Sequence, residues 1–255
     1  MIRICKSHML EAAGFPLHGF TTRHGGVSAP PYDTLNLGLA VGDDPDAVAE
    51  NHRRLERHVG LDAAILSARQ VHGTAIALAA DLARERPDRR ELPAVEADGI
   101  VCADPREAVG VRTADCAAIL LAEPRSRLVA AVHAGWRGAA GGVVAAGVAA
   151  LVSHGASLEG ILAAIGPCIC GRCYEVGDDV ASLFPDAARP SPEARGKHLL
   201  DLPLAVELAL RAAGLHARNI DRADACTRCN GSDFFSHRGS GVTGRNMGFI
   251  CGGVR

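Results

Sequence analysis

The stretch VGVRTADCAAILLAEPRSRLVAAVHAGWRG, residues 109–138, decides the fold of this chain. Its apolar runs at 109–112, 117–122 and 128–132 have the length and composition of buried strands. The short link EPRS between the last two runs favours a β-hairpin, and a Gly-rich turn then leads into an Ala-rich run that predicts a helix. The stretch therefore predicts a mixed sheet that contains an antiparallel pair and packs against a helix.

Further helices and strands are predicted on both sides of this stretch. In DDPDAVAENHRRLERHVG, Asp44 can cap a helix, Pro45 fits its first turn and Gly60 can end it. In DLPLAVELALRAAG, Asp201 can cap a second helix and Gly214 can terminate it. The other predicted elements are a helix at 139–154 stopped by Gly155, a helix beginning near Glu175, and strands at 14–22, 64–71, 74–80, 98–102, 161–165 and 247–254.

The order of these elements predicts the fold class. A second short link, VHGT, favours a hairpin between the strands at 64–71 and 74–80. Many strands with short links, interspersed with helices, predict an α/β layered sandwich with mixed sheets. The linker-like stretches RERPDRRELP and ARPSPEARGK are short enough to be surface loops, so we expect residues 1–255 to form a single domain.

Charge and cysteine content restrict the class of protein. The chain has 27 basic and 29 acidic residues, a balance that indicates neither nucleic acid nor a membrane as a partner and favours small molecules. The start MIRICKSHMLEAAG lacks the apolar core of a secretory signal, and no run is long enough to span a bilayer. Nine is an odd number of cysteines, and the close spacing within 168–173 and 226–229 suits thiols or metal ligands better than a secreted disulfide framework, so we expect a cytoplasmic protein. The oligomeric state is not indicated.

Three side chains at predicted strand ends are candidates for a metal site. They are His72 in RQVHGT, Cys116 in TADC and His133 in VHAGWRG. Two imidazoles and one thiolate would form a tetrahedral zinc site with an open fourth position, as in catalytic zinc sites. The same residues also fit a cysteine nucleophile, with His133 or His72 as the base and Asp115 as its orienting group. Spacing does not separate these two chemistries, nor does it exclude ordinary core residues.

The remaining cysteines include two CxxC pairs. CGRC contains Cys170 and Cys173, and CTRC contains Cys226 and Cys229. Paired CxxC motifs are typical of structural zinc sites, but these two pairs lie much farther apart than in a compact zinc knuckle. We therefore expect free thiols or an occasional disulfide here and one metal ion per chain.

Several motifs together resemble one known family. TTRHGGVS, LNLGLAVGDD, RQVHGT, ADGIV, TADCAAILLA, VAAVHAGWRG, AIGPCICGRCYEVG and FFSHRGSGVTGRN occur in the order typical of the YfiH-type, or laccase-domain, family. The resemblance implies a single-domain four-layer α-β-β-α sandwich. It also implies that His72, Cys116 and His133 bind one Zn²⁺ ion, with Cu²⁺ as the alternative.

The resemblance also implies an activity. It indicates a zinc-dependent purine nucleoside phosphorylase that acts on adenosine, inosine, guanosine and methylthioadenosine with phosphate, and that also deaminates adenosine. The alternatives are a cysteine- or metal-dependent hydrolase that edits peptidoglycan precursors and a metal-binding module without physiological turnover. A copper polyphenol oxidase (laccase) is disfavoured, because the 11 histidines include no HxH pair of the kind that multicopper centres use.

Phosphorolysis requires groups that bind phosphate and nucleoside. Arginine side chains and N–H groups at a helix start bind phosphate, and Arg137, Arg238 and Arg245 are the candidates. Asn36 in LNLG is a candidate for binding ribose or base, with a turn-forming role as its alternative. Asp115 is a candidate to donate a proton or orient a water, unless it bonds only to nearby backbone.

Overall fold

The computed structural model describes residues 1–85, 91 and 93–253. The strands are β1 (Ile4–Cys5), β2 (His18–Thr21), β3 (Ile76–Leu78), β4 (Gly99–Cys102), β5 (Ala108–Thr113), β6 (Ala117–Ala122), β7 (Val129–Ala134), β8 (Leu162–Ile165), β9 (Glu175–Gly177), β10 (Ala188–Pro190), β11 (Lys197–Leu200), β12 (Ile220–Arg222) and β13 (Asn246–Cys251). The helices are α1 (His8–Ala12), α2 (Pro45–Val59), α3 (Ala79–Glu85), α4 (Trp136–Gly141), α5 (Val143–Ser153), α6 (Asp178–Ala181), α7 (Leu202–Ala212) and α8 (His237–Ser240).

Two sheets are packed face to face between helices. One has the order β12-β8-β6-β7-β4-β3 and the other the order β1-β2-β13-β5. Alternate residues of β6 face opposite sides: Ile119 and Leu121 pack with α5 and α7, whereas Ala118 and Leu120 pack with the second sheet. Beyond that sheet, Phe249 of β13 packs with α2. The predicted four-layer α-β-β-α sandwich is confirmed.

The larger sheet is mixed, as the short links predict. β3 and β4 pair in parallel, as do β8 and β12, whereas β6 pairs antiparallel with both β7 and β8. A small third sheet, β10-β11-β9, packs with α6 and the start of α7. None of the described helices is long and apolar enough to cross a membrane.

Two of the predicted helices have the predicted capping residues, and a third is divided into two helices. Asp44 caps α2 with its side chain, and Gly60 ends that helix at a φ of 74°. Asp201 caps α7 in the same way. The single helix predicted at 139–154 is instead divided into α4 and α5, because Gly142 takes a φ of 95°.

The hairpin predictions had opposite outcomes. The EPRS link joins β6 and β7 as an antiparallel pair, as predicted. The VHGT hairpin is wrong: 64–71 contributes only isolated bridges, and β3 pairs with β4 instead. The reason is that N–H groups of residues 71–73 bond to the Asp98 carboxylate rather than across a turn. The helix predicted to begin near Glu175 begins at Asp178 as the short α6, because residues 175–177 form β9.

Two sequence predictions extend beyond the described residues. The loop RERPDRRELP includes residues 86–90 and 92, and the strand predicted at 247–254 ends at residue 254. The described part of that strand is β13.

Candidate active site

Strand register brings together the first two candidate ligands. β6 and β7 pair with Ala118 opposite His133, and Cys116 lies just before β6. The thiol therefore lies beside the end of β7 that carries the imidazole. β4 pairs with the other side of β7, which places Asp98, just before β4, next to His133.

The third candidate ligand comes from the loop between residues 70 and 74. The ring of His72 meets the ring of His133 edge to face, with centroids 4.9 Å apart. One ligand atom each from His72, Cys116 and His133 can be chosen so that all lie within 4.8 Å of one another. The structure thus assembles the predicted triad at one point, from three separate parts of the chain.

A buried carboxylate organises this triad. Asp98 has no exposed surface, and His133 Nδ1 donates to Asp98 Oδ1 at 2.7 Å. The N–H groups of Val71, His72 and Gly73 also donate to this carboxylate, at 3.1, 3.0 and 2.6 Å. Asp98 therefore fixes the His133 ring with Nε2 free to act as a ligand, and it holds the loop that carries His72.

Sequence analysis missed the role of Asp98. The residue lies in the motif ADGIV, which was assigned only to a strand. Its position was nevertheless a signal, because an acidic residue at the start of a fully buried strand needs donors from elsewhere in the fold.

The surroundings of Cys116 and His133 shift the pKa values of these two side chains. Burial raises the pKa of the Cys116 thiol, but the charge and hydrogen bonds of His133 and His72 outweigh burial and lower the pKa to about 6. Burial lowers the pKa of His133, but Cys116 and Asp98 raise it to about 9. The triad therefore favours a thiolate, the form of cysteine that binds metals and acts as a nucleophile.

The triad fits a metal ion on chemical and steric grounds. One thiolate and two imidazoles form a donor set that zinc and copper both accept. Gly135 lies against them: a Cβ added there would be 2.9 Å from Cys116 Sγ and 3.0 Å from His72 Cδ2. Glycine at this position leaves room for the ligands to converge.

The triad lies on the wall of a cavity of about 710 Å³. This volume is within the range of roughly 300–1,000 Å³ that is usual for small-molecule sites. Among the described residues that line the cavity, Asp115 is the one carboxylate. The cationic side chains in the lining are those of Arg69, Arg112, Arg137, Arg238 and Arg245.

Arg112 is a cavity residue that the sequence analysis missed. Its Nη2 donates to Ser67 Oγ, but its buried Nε has no hydrogen-bond partner among the described residues. Burial lowers the pKa of this guanidinium to about 10. An unpaired N–H on a buried cation is costly unless a ligand supplies an acceptor. The available signal was an arginine within the apolar run of β5.

The three arginines predicted to bind phosphate all line the cavity, but they differ in exposure and in hydrogen bonding. Arg137 is exposed and stacks on Trp136, 4.4 Å from the ring centroid. Arg238 Nη1 donates to the carbonyl of Glu175 at 2.8 Å. Arg245 Nη1 donates to two backbone carbonyls at 2.9 Å each, and burial lowers its pKa. In the described part of the chain, no carboxylate forms an ion pair with these three side chains or with Arg112.

The helix that begins near Arg137 is a weaker candidate for binding phosphate than the sequence suggests. The predicted long helix is divided, and α4 has only 6 residues. Since such a short helix contributes little to anion binding, the arginine side chains remain the candidates for binding phosphate.

The placement of Asn36 corrects the prediction that it contacts ribose or base. Its side chain has no exposed surface and is not part of the cavity wall. Its amide nitrogen donates to Asp43 at 2.8 Å, and its amide oxygen accepts from the N–H groups of Gly38 and Arg245, at 2.8 Å each. Asn36 therefore organises the turn and anchors the backbone of Arg245.

Asp115 lies on the cavity wall, but its oxygens are bonded to the protein. Oδ1 accepts from the hydroxyls of Thr227 and Ser236 at 2.7 Å each, and Oδ2 accepts from the N–H of Arg238 at 2.6 Å. This arrangement matches the alternative of a carboxylate that holds nearby loops. We therefore treat Asp115 as a positioning residue beside Cys116.

Comparison with known proteins gives a consistent set of relatives. The family profile described as "Multi-copper polyphenol oxidoreductase laccase" matches residues 17–252. A purine nucleoside phosphorylase from Streptomyces coelicolor is 41% identical over 236 residues, covering 91% of this chain and 93% of the relative. An adenosine deaminase from an unknown prokaryotic organism is 35% identical over 236 residues, covering 89% and 90%.

The fold has a close match among solved structures. The crystal structure of the hypothetical protein YfiH from Bacillus licheniformis superposes with a TM-score of 0.84 at 33% identity, covering 92% of this chain and 91% of that one. The similarity therefore extends over the whole sandwich and over the strands that carry the triad.

Proposed function

Because the chain belongs to the multi-copper polyphenol oxidoreductase laccase family, we propose that it is an enzyme that acts on purine nucleosides. Its main reaction is phosphorolysis of adenosine, inosine, guanosine or methylthioadenosine. The names of the relatives support this reaction. The observation that carries the proposal is the cavity lined by the His, Cys, His triad and by four arginines, Arg112, Arg137, Arg238 and Arg245, that form no ion pair with a carboxylate of the described residues.

The metal is proposed to bind at the triad. His72, Cys116 and His133 would hold one Zn²⁺ ion, with Cu²⁺ as the alternative. An ion held by these residues would supply a Lewis acid beside the cavity. Asp98 keeps the His133 ring oriented, and the N–H groups that it binds keep His72 in place.

Phosphate is proposed to bind to the unpaired arginines. Arg112 offers a buried Nε that lacks an acceptor, and Arg137 offers an exposed guanidinium at the cavity wall. Guanidinium groups bind phosphate with directed, charge-assisted hydrogen bonds. Trp136 and Tyr174 also line the cavity and supply aromatic surface for a purine.

The reaction balances with hydrogen phosphate as the nucleophile. A phosphate oxygen forms a bond to the anomeric carbon of ribose as the bond from that carbon to the purine nitrogen breaks. The purine leaves with the electron pair and takes up the proton that hydrogen phosphate carried, which gives free base and ribose 1-phosphate. The arginines position phosphate for this attack and stabilise its charge.

Deamination of adenosine is proposed as a second reaction of the same site. Water replaces the exocyclic amino group, which gives inosine and ammonia. The relative named as an adenosine deaminase supports this reaction. It requires the purine to bind with its ring, rather than its sugar, toward the triad.

Oxidase chemistry with several copper ions is not part of the proposal. Among the described residues, which include all 11 histidines and all nine cysteines, the groups that could hold a metal are this triad and a cluster of four cysteines. Neither resembles a trinuclear copper centre, which requires many imidazole ligands.

The test is an assay of inosine with phosphate, in which ribose 1-phosphate and hypoxanthine are measured. Arg112→Gln and Arg137→Gln should raise the KM for phosphate by at least about tenfold, because a hydrogen bond to a charged group contributes roughly 1.5–3 kcal/mol. Arg218→Gln, an exposed arginine outside the cavity, is the matched control and should leave this KM unchanged.

The outcome of the assay separates the candidate functions. Product formation that depends on phosphate supports a phosphorylase. Base release without phosphate consumption, or release of an amino acid from a muramyl precursor in parallel, would instead support a hydrolase. Arg112→Lys keeps the charge, and its folding can be checked by thermal unfolding if the glutamine variant is unstable.

A further inference from the structure

The two CxxC pairs, which are distant in sequence, meet in the fold. The Sγ atoms of Cys170, Cys173, Cys226 and Cys229 all lie within 4.8 Å of one another. The wide separation of the two pairs in sequence argues against a compact zinc knuckle, but it does not exclude a site formed by the fold. Here the sheet closes the distance, because β12 pairs with β8 and both loops leave from the same end of that pair.

The backbone holds the two cysteine loops side by side. An isolated bridge joins Cys168 to Cys226, and the N–H of Thr227 donates to the carbonyl of Cys168 at 3.2 Å. Arg228 Nη1 donates to the carbonyl of Cys173 at 3.0 Å. The sulfurs therefore converge because the loops are fixed by other contacts.

One of the sulfurs is an acceptor for two backbone N–H groups. Cys226 Sγ accepts from the N–H of Cys170 at 3.3 Å and from the N–H of Cys229 at 3.4 Å. Backbone N–H groups that donate to a ligand sulfur are outer-shell contacts that hold it in position for a metal ion. A free thiol does not need two N–H donors, whereas a metal-bound sulfur commonly accepts such hydrogen bonds.

The spacing fits a tetrahedral ion. With a zinc–sulfur distance of about 2.3 Å, the sulfurs of a tetrahedral site lie about 3.8 Å apart. Cys173 Sγ and Cys229 Sγ are 3.4 Å apart, so modest adjustments would complete the tetrahedron. We propose that Cys170, Cys173, Cys226 and Cys229 bind one structural Zn²⁺ ion, separate from the ion at His72, Cys116 and His133.

Four protein ligands leave no position for substrate, so this ion has a structural role. Its loops are attached to the catalytic side of the molecule through Asp115. Thr227, between Cys226 and Cys229, donates its hydroxyl to Asp115 at 2.7 Å, and the N–H of Ile169 donates to the Asp115 carbonyl at 2.9 Å. The tetrathiolate site therefore supports the wall of the cavity without lining it.

The experiment is a measurement of zinc per chain in protein purified without chelators. Wild-type protein should contain two zinc ions per chain. Cys173→Ser should lose one of the two, Cys116→Ala should lose the other, and the double variant should lose both. Cys5→Ser, a half-buried cysteine outside both clusters, is the matched control and should keep two.

A second measurement on the wild type avoids any failure of variants to fold. Protein reconstituted with Co²⁺ alone should show the intense visible bands of a tetrahedral tetrathiolate in addition to those of a site with one thiolate. The proposal is overturned by one zinc per chain that Cys116→Ala removes, by a disulfide within the four cysteines detected by mass, or by iron in place of the second zinc. None of these readouts depends on enzymatic activity.

Discussion

The two clusters of candidate metal ligands both contain cysteine sulfur but differ in their other donors and in their surroundings. His72, Cys116 and His133 supply three ligand atoms on the wall of a cavity of about 710 Å³. The four cysteines of the second cluster line none of the described cavities, and they bring together two loops. Three ligands beside a cavity leave a position for substrate, whereas four ligands between loops leave none.

This difference suits a catalytic role for the triad and a structural role for the four-cysteine cluster. The triad is organised by the buried carboxylate of Asp98, which fixes ring orientation and backbone together. The four-cysteine cluster is organised by contacts between its loops, such as the bridge between Cys168 and Cys226 and the hydrogen bond from Arg228 to the carbonyl of Cys173. Changes at the two clusters should therefore have separable effects on activity and on metal content.

The largest expected effect is that of Cys116→Ala, which removes one of three ligands. Phosphorolysis should fall by more than the roughly 100-fold that can follow loss of an outer-shell partner. Activity and zinc content are measured on the same sample, with Cys5→Ser as control. Loss of one zinc ion together with activity is expected; unchanged turnover in folded protein would contradict a role for Cys116.

The next largest effect is expected for Asp98→Asn. The amide cannot accept all four N–H donors as a carboxylate does, so the His133 ring and the His72 loop lose their common anchor. Metal affinity at the triad should fall about 10–100-fold. Competition with a coloured chelator measures this affinity.

Asp104→Asn is the control for Asp98→Asn, since Asp104 bonds to Arg106 in an exposed turn. The tetrathiolate site should bind zinc equally well in both variants. An Asp98→Asn protein with wild-type affinity at the triad would show that the carboxylate has no role in orienting the ligands.

A smaller effect is expected for Gly135→Ala. The added methyl group would lie 2.9 Å from Cys116 Sγ, so the ligand must shift, although the backbone itself is unstrained at a φ of −78°. Overpacking costs about 1 kcal/mol at the lower end of its usual range, which applies when a single side chain can shift, and this is equivalent to about a 5-fold loss of metal affinity at the triad. Gly231→Ala, with its nearest atom at 3.7 Å, is the matched control. Equal metal affinities in Gly135→Ala and Gly231→Ala would mean that metal binding at the triad tolerates displacement of Cys116 Sγ.

The smallest effect is expected far from both clusters, at Asp44→Ala. Its side chain caps α2 by accepting from the N–H of Asp46. Loss of such a cap lowers the free energy of unfolding by about 1 kcal/mol, which lowers Tm by about 2–4 °C in a chain of this size. Thermal unfolding measures the shift. Both zinc ions and the activity should be retained, and loss of either would show that general destabilisation explains the other variants.

Local sequence patterns predicted those parts of the fold that depend on neighbours in the chain. Caps such as Asp44 and Asp201 and the EPRS hairpin act over a few residues, and each was found where predicted. The VHGT link failed because a carboxylate from another strand, Asp98, takes up its N–H groups. A window of sequence around VHGT contains no sign of that carboxylate.

The residues of the candidate site also fall into two groups, those that the sequence identified and those that only the structure identified. The triad residues were named from their motifs and from the family resemblance, whereas Asp98 and Arg112 were not, because their roles consist of contacts with distant groups. The sequence left Asn36 with two roles, substrate contact or turn formation, because its motif does not reveal that both the nitrogen and the oxygen of its amide are bonded inside the protein.

The sequence by itself determined which donor atoms are available, the order of strands and helices, and the family to which the chain belongs. Only the tertiary structure decided which donors share a point in space. Strand pairing brings together segments that are far apart in the chain, as for Cys173 and Cys229, and it sets the side of the sheet to which each loop projects. Pairing depends on the burial of whole sheet faces, a property that no short motif contains.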